Sequence, residues 1–410
     1  MAAVAPARVA AFEVLRRVFE DAAWADRALR VSAAGLDERD RALAQRLAYG
    51  AVQRVRTLDH AIEALARRPV GRIDPPVLAA LRLGAYQVAY LDGIPRYAAV
   101  NESVELVRKA GARRAVAFAN AVLRRLAEQG RALVERLPEA TAPEAALRHS
   151  YPDWVADVWW RDLGPDGARA LMRAQNEPPE IAVRRVRGAV EGRPDPMLED
   201  AFVVGRIDEA AVAEGRIWPQ SRGSQLVGRV VGARDGERTL DLCAAPGGKA
   251  TMLAGEVVAV DASEARVREL EENVRRLGAR HVTVVHADGR ELPPGLKGFD
   301  HALVDAPCSG LGVLASRPDL RWRAEPLPEL QLALLRAAVE RVRSGGTVTY
   351  SVCTVNADES EAVVDAVGLP CDDLGVDWPT FAHPRRPELL QVLPHVHNTS
   401  GFFVARLRVP

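Results

Sequence analysis

A chain of 410 residues exceeds what a single hydrophobic core usually organises, so two or three domains are expected. With 48% hydrophobic and 27% charged residues it has the composition of a folded soluble protein, which excludes a disordered or low-complexity class. Net charge is zero, yet residues 1–130 carry 21 Lys and Arg against 14 Asp and Glu, leaving the remainder at −7. A basic first third suits contact with a polyanion, and a solvated arginine-rich helical surface accounts for the same charge.

The four cysteines, Cys243, Cys308, Cys353 and Cys371, form no C-x-x-C pair and no regular spacing, which argues against a disulfide framework and against a zinc site. Reduced thiols in the cytoplasm are expected. The start, M-A-A-V-A-P-A-R-V-A-A-F-E-V-L-R-R, places charges inside what would be the apolar part of a signal peptide. Glu13, Glu20, Asp21 and Asp26 count against a transit peptide, and no apolar run approaches the length of a membrane span.

The first 130 residues read as helices, because apolar residues recur every three or four positions. Phe12, Leu15 and Phe19 make one stripe, and Leu43, Leu47, Val55, Leu58, Ile62 and Leu65 make a longer one. Asp74-Pro75-Pro76 starts a third helix bearing Val77, Leu78 and Leu81, and Asp92-Gly93-Ile94-Pro95 turns the chain. Two further patterns follow, with Val100, Val104 and Val107 on one and Val116, Val122, Leu123 and Leu126 on the other. The stretches L-D-E-R-D-R-A-L-A-Q-R-L-A-Y-G-A-V-Q-R, A-A-V-N-E-S-V-E-L-V-R-K-A-G and F-A-N-A-V-L-R-R resemble the NusB-like RNA-binding domain. Arg46, Arg54, Arg56, Arg113, Arg114, Arg124 and Arg125 lie outside the apolar stripes, where they either contact phosphates or keep the bundle soluble.

From about 131 to 215 prolines at 138, 143, 152, 178 and 179 break the pattern into short pieces, read as a connector and a small α/β subdomain. After about 216, β-branched runs alternate with helical patterns, as in a doubly wound parallel sheet. Strands are expected at Thr239 to Cys243, Val257 to Asp261, Val282 to His286, Asp300 to Asp305, Gly346 to Ser351 and Phe402 to Leu407. The expected organisation is a helical bundle over 1–135, a linker and small subdomain over 136–215, and an α/β domain over 216–410.

The first of these strands ends in D-L-C-A-A-P-G-G-K (Asp241 to Lys249) and is expected to run into a helix whose first N–H groups are free. A phosphate-binding P-loop is disfavoured, since Cys243 replaces its first glycine and Ala250 its metal-binding Ser or Thr. Asp241, Asp261, Asp288 and Asp305 stand at the carboxyl ends of successive strands, the edge where open α/β sheets bind ligands. The G-x-G-x-x-G of a nicotinamide site is absent. The arrangement resembles class I methyltransferases, whose donor S-adenosylmethionine carries a ribose, an adenine and an ammonium but no phosphate. By that resemblance Cys243, Ala244, Ala245, Pro246, Gly247, Gly248 and Lys249 wrap the cofactor. Asp261 and Arg266 flank its ribose side, Asp288 lies by the adenine, and Asp305 faces the methionine end.

Two cysteines follow strands at the same edge, Cys308 in D-A-P-C-S-G-L-G and Cys353 in Y-S-V-C-T. Taken singly, each is as well explained as a small buried hydrophobe. Together, D-L-C-A-A-P-G-G-K, D-A-P-C-S-G-L-G-V, R-P-D-L-R-W and Y-S-V-C-T, in that order, resemble the Nop/Sun family of RNA cytosine-carbon-5 methyltransferases. With the NusB-like domain in front, the likeness is to the bacterial RsmB (Sun/Fmu) type, which modifies 16S ribosomal RNA. It implies Cys353 as covalent nucleophile and Cys308 as the cysteine assisting product release, with Asp305 the nearest acid for ring nitrogen 3. The implied cofactor is S-adenosylmethionine. The implied partner is small-subunit ribosomal RNA, with no membrane, no metal and a monomeric enzyme in the cytoplasm.

Val352, Ser221, Leu311 and Ser400 depart from the family pattern, which puts substrate positioning rather than chemistry in question. His395 and His397, in P-H-V-H-N-T, lack a third metal ligand. Trp322 is either core packing or a base-stacking surface. The competing readings are a non-catalytic NusB-like RNA-binding or antitermination factor on a degenerate methyltransferase fold, or the same chemistry on tRNA or 23S rRNA.

Overall fold

The computed structural model describes residues 4–410; the first three, where the reading of the N-terminus begins, lie outside the described residues. The chain divides into two compact units, one of residues 1–177 with 314–323, the other of 178–313 with 324–410.

The first unit is helical. It contains α1 (Pro6–Glu20), α2 (Ala25–Ser32), α3 (Glu38–Gln53), α4 (Val55–Ala66), α5 (Pro75–Tyr90), α6 (Arg96–Lys109), α7 (Val116–Arg125) and α8 (Arg131–Glu135). Small residues on the apolar stripes let the helices approach closely. A Cβ on Gly50 of α3 would lie 2.0 Å from the Tyr86 ring of α5. Two stripes differ from expectation. Leu43 to Leu65 is two helices, because the chain breaks at Arg54, whose φ of −95° and ψ of 8° leave the helical region. Phe19 is 37% exposed rather than core, its ring lying 4.5 Å from the Arg82 guanidinium.

The connector is also more helical than its prolines suggest, with α9 (Ala142–His149) and α10 (Asp153–Ala174). Pro143 stands in the first turn of α9 and Pro152 at the N-cap of α10, positions where a missing N–H costs nothing. Thr141 and Glu144 close a capping box on α9, and Gly164, at φ 71°, kinks α10 before Pro165.

Residues 314–323, containing R-P-D-L-R-W, are built into this helical unit. Arg321 is fully buried and donates to the carbonyls of Gln53 and Ser150, both at 3.1 Å, of Gln175 at 3.3 Å, and to Asn176 Oδ1 at 3.0 Å. Its guanidinium stacks 4.1 Å from the Tyr151 ring, and burial draws its pKa down to about 10, so it stays charged at neutral pH. Trp322 donates from Nε1 to Val52 O at 2.8 Å and packs on the helical core, which makes it an anchor rather than a free stacking surface.

The second unit holds two sheets. In the small one, β1 (Ala182–Arg185), β2 (Arg193–Pro194), β3 (Ala201–Val203) and β4 (Ile217–Pro219) pair antiparallel in the order β2-β3-β1-β4, with α11 (Glu209–Ala213) before β4. After α12 (Arg222–Val231), the large sheet is assembled from β5 (Arg238–Asp241), β6 (Glu256–Asp261), α13 (Glu264–Leu277), β7 (Val282–His286), β8 (Phe299–Asp305), α14 (Pro328–Val339), β9 (Val342–Val352), α15 (Glu361–Val367), β10 (Leu390–Val392) and β11 (Phe402–Arg408). Its order is β10-β11-β9-β8-β5-β6-β7, parallel from β9 to β7 and closed by antiparallel β11 and β10. All six expected strands are present. β10 was not foreseen, because its three residues are all buried and show no alternation. This is the Rossmann-like arrangement of a doubly wound sheet, behind a helical bundle and a small α/β subdomain. Among the described residues no helix is long and apolar enough to cross a membrane.

Replacing Arg321 by Met removes a donor from four oxygens, three of them on buried residues, so urea unfolding of the helical unit should show a loss of about 3 kcal/mol. A change below about 0.5 kcal/mol, the range of ordinary surface substitutions, would refute the role given to this side chain.

Candidate active site

β5, β6 and β8 each end in an aspartate, respectively Asp241, Asp261 and Asp305. The parallel pairing of β8 with β9 sets Asp305 opposite Ser351. Ser351 Oγ donates to Asp305 Oδ1 at 2.6 Å, and Lys249 Nζ donates to Oδ2 at 2.6 Å. Lys249 also lies 5.2 Å from the centroid of the Phe402 ring, so the lysine of the glycine loop is committed to a carboxylate. That pairing is a further argument against a phosphate-gripping loop.

Asp241 is 1% exposed, and among the described residues no side chain hydrogen-bonds to either of its carboxylate oxygens. Burial, with Asp305 nearby, pushes its pKa up to about 7 while Lys249 offsets part of the rise. Gly247 has φ +104° and a Cβ there would lie 2.7 Å from Leu270, so only glycine suits the turn. A Cβ on Gly248 would lie 2.6 Å from the Trp218 indole nitrogen. The helix expected after this loop is a single 3-10 turn, Ala250–Met252, because Thr251 Oγ1 donates back to Gly247 O at 2.7 Å and Leu253 is already extended. Arg266 stands 3.6 Å from Asp261 and donates to Ala245 O, while Asn273 donates to Pro246 O at 2.8 Å. Cys243 lies in this loop, where burial pushes its thiol up. Asp288 sits two residues beyond β7, half-exposed and chelated by Arg290, which holds its carboxyl down at about 2.

The cysteines meet. Cys308 Sγ and Cys353 Sγ are 3.4 Å apart, each partly exposed, one on the loop after β8 and the other just past β9. Gly312 N donates to Cys353 O at 3.0 Å, tying the two loops together. The hydrogen bond from Cys308 holds the Cys353 thiol below its ordinary value, with Lys249 assisting. That same bond, burial and the negative charges of Cys353 and Glu359 push the Cys308 thiol up. The two thiols are thus shifted in opposite directions, Cys353 down and Cys308 up.

Residues 229–408 match the model of the 16S rRNA methyltransferase RsmB/F family, and residues 5–128 match the NusB family. The probable ribosomal RNA small subunit methyltransferase B of Synechocystis is 32% identical over 98% of this chain and 99% of its own length. The chain belongs to the RsmB/F family. Another member, the ribosomal RNA small subunit methyltransferase B of Thermus thermophilus, is 38% identical over 83% of this chain and 81% of its own. Among solved structures, PH0851 superposes with a TM-score of 0.80 at 22% identity, covering 99% of both chains. NSun6 from Pyrococcus horikoshii, solved with SFG, gives 0.58 at 23% identity, covering 64% of this chain and 99% of its own. At those identities the likeness establishes the fold.

The departures from the family pattern have plain local roles. Ser221 caps α12 by accepting from Ser224 N at 3.3 Å, as an aspartate would. Val352 and Leu311 are fully buried, and the Ser400 carbonyl lies 2.5 Å from where a Cβ on Gly223 would be. His397 accepts from Leu393 N at 2.8 Å and bonds Thr380 O at 3.0 Å, which commits both ring nitrogens to backbone. Among the described residues no three His, Cys, Asp or Glu side chains group as metal ligands. Sequence reasoning missed two members of the site, Ser351 and Glu359. Ser351 was detectable as the serine of Y-S-V-C-T, two residues before Cys353, whereas Glu359 gave no local signal.

Lys249→Met removes the positive charge facing Cys353, so the thiol should rise and its alkylation by iodoacetamide at pH 7.5 should slow about tenfold for each pH unit of displacement. A pH–rate profile for Cys353 identical to wild type would refute the electrostatic assignment of the lysine.

Proposed function

We propose that this chain transfers a methyl group from S-adenosylmethionine to carbon 5 of a cytosine in 16S ribosomal RNA through a covalent adduct on Cys353. The observation carrying this reading is the 3.4 Å contact of Cys353 with Cys308, beside the Lys249–Asp305 ion pair. A single cysteine serves many purposes. Two with opposed ionisation tendencies at a ligand-binding sheet edge suit a reaction that needs a nucleophile and a proton-bearing partner.

The residues present fit the cofactor. Orphaned oxygens on Asp241 suit an ammonium, the backbone at Gly247 and Gly248 leaves no room for side chains, and Asp261 at a strand end suits ribose hydroxyls. Cys243, Ala244, Ala245, Pro246, Lys249, Arg266, Asp288 and Asp305 complete the proposed set. When bound, the cofactor supplies an electrophilic methyl group. SFG, an analogue of S-adenosylmethionine, in a structure of the same fold agrees with this choice.

Carbon 5 of cytosine is too weakly nucleophilic to be alkylated directly. The Cys353 thiolate adds to carbon 6, which makes carbon 5 enamine-like and nucleophilic. Asp305, held by Lys249 and Ser351, stabilises the ring at nitrogen 3. After methylation a base takes the carbon 5 proton, the C–H electron pair re-forms the carbon 5–carbon 6 double bond, and the carbon 6–sulfur bond breaks to release Cys353 as a thiolate, with Cys308 assisting release. The bundle over 1–135 holds the RNA, and five of the arginines named for that purpose, Arg46, Arg113, Arg114, Arg124 and Arg125, are exposed. Arg54 and Arg56 are instead tied into the unit, Arg54 over the Tyr90 ring and Arg56 on Asp153. The linker and small subdomain span 136–215, and catalysis resides in 216–410.

With labelled S-adenosylmethionine and unmodified 16S rRNA, wild type should form 5-methylcytosine, read by bisulfite sequencing. Cys353→Ser should lower turnover by at least about a thousandfold, and Cys308→Ala should accumulate a denaturant-stable protein–RNA adduct. Full activity in Cys353→Ser, or label appearing on another base, would overturn the reading.

A further inference from the structure

Glu359 is fully buried, yet among the described residues no Lys, Arg or His pairs with it. Neutral donors on four residues from three segments hold it instead. Oε1 accepts from Ser309 N at 3.0 Å, Leu327 N at 3.1 Å and Gln331 Nε2 at 2.9 Å. Oε2 accepts from Ser309 Oγ and from Asn356 Nδ2 at 3.2 Å. Gln331 Nε2 also donates to Pro307 O at 2.9 Å, Ser309 Oγ lies 2.8 Å from Thr354 Oγ1, and Tyr350 donates to Glu359 O at 2.6 Å. The residues on both sides of Cys308, and the one after Cys353, are therefore fastened to one carboxylate or to its immediate ligands.

Burying a carboxylate without a counter-ion is costly, and a glutamine in its place would keep one acceptor oxygen while losing the other. A fixed negative charge does something that an amide cannot. It opposes a second negative charge on the nearer sulfur. We propose that Glu359 is the positioning residue that assigns the two sulfurs their roles, clamping the Cys308 loop against the Cys353 loop and keeping Cys308 the proton-bearing partner.

Lys249 and Asp305 act on Cys353 with opposite signs, the lysine lowering its thiol and the aspartate raising it, while Glu359, whose carbonyl accepts from the Tyr350 hydroxyl, acts on Cys308. The direction of each thiol's shift agrees, Cys353 lowered and Cys308 raised. The assignment rests on Cys353 as nucleophile, but its test needs neither RNA nor cofactor.

Full-length protein is treated with limiting iodoacetamide at pH 8, so that each molecule is hit at most once, and the modified cysteine is located by peptide mass spectrometry. Wild type should be labelled at Cys353 over Cys308, and Glu359→Gln should move that ratio toward Cys308 by about tenfold, the equivalent of one pH unit of thiol acidity. The pH midpoint for Cys308 labelling should fall in the same variant. Methylation kcat should drop with the KM for RNA unchanged, and Glu359→Asp should restore part of the selectivity. An unchanged labelling ratio in folded Glu359→Gln overturns the proposal. If that variant does not fold, Ser309→Ala decides. It loses the hydroxyl bridge but keeps the charge, so preference for Cys353 must persist, and a shift toward Cys308 overturns the role of the carboxylate. Should Cys353→Ser still methylate RNA while the labelling ratio shifts as stated, the nucleophile assignment fails and the charge ordering stands.

Discussion

The site depends on the register between two parallel strands. Pairing of Asp305 with Ser351 across β8 and β9 fixes where each strand releases its chain, and both loops then begin at the same height of the sheet. Cys308 is three residues past Asp305 and Cys353 two past Ser351, so the ladder itself brings the sulfurs within 3.4 Å. A slip of one residue would exchange the faces of every side chain on the strand and send the sulfurs apart. Both faces of β9 are buried, with Val348, Tyr350 and Val352 on one and Thr349 and Ser351 on the other, so a slip would exchange apolar for polar side chains within the core. Hydrophobic burial in the sheet thus sets the geometry of the chemistry at its edge.

What the register places, electrostatics then differentiates. The edge collects three aspartates and one lysine, and the lysine is consumed by Asp305. Among the described residues no side chain donates to Asp241, a situation tolerated because burial keeps its carboxyl largely protonated below neutrality. Its sign follows directly: a carboxyl raised in the folded chain favours folding at low pH, and that contribution is lost as pH rises through about 7. A ligand cation beside Asp241 would reverse that loss, which links the ligand to the stability of the loop that wraps it.

The sequence made the large sheet legible because its strands are continuous β-branched runs ending in Asp or Cys, signals that are local and strong. It made the cysteine pair legible as a strand-end coincidence and, through four motifs in order, as a family. Other features escaped for a common reason. Phe19 has the spacing of a core residue, but its surroundings include Arg82, sixty-three positions away, which covers the ring in place of apolar neighbours. The carboxylate of Glu359 is held from positions 309, 327, 331 and 356, and the donors at 309, 327 and 331 lie 28 or more residues from it, beyond any local window of sequence. Trp322 could not be placed until Val52 was seen to accept its N–H.

Arg321 and Glu359 solve one physical problem with opposite signs. Each is a fully buried ionisable side chain with no ionic partner among the described residues, and each is held by neutral dipoles, carbonyl and amide oxygens for the guanidinium, N–H and O–H groups for the carboxyl group. A salt bridge would have satisfied either charge with a single side chain. Dipoles supplied by several segments instead require all of those segments to be in place at once, because losing any one strands a buried charge. Around Arg321 that condition joins residues 314–323 to the ends of α3 and α10 and to the turn at Ser150. Around Glu359 it joins the Cys308 loop, the start of α14 and the segment after β9. The segment 314–323 begins six residues after Cys308, so the chain runs directly from the loop that one buried charge organises to the loop that the other organises. Order in the helical unit and order around the cysteines are consequently imposed on neighbouring stretches of one short piece of backbone.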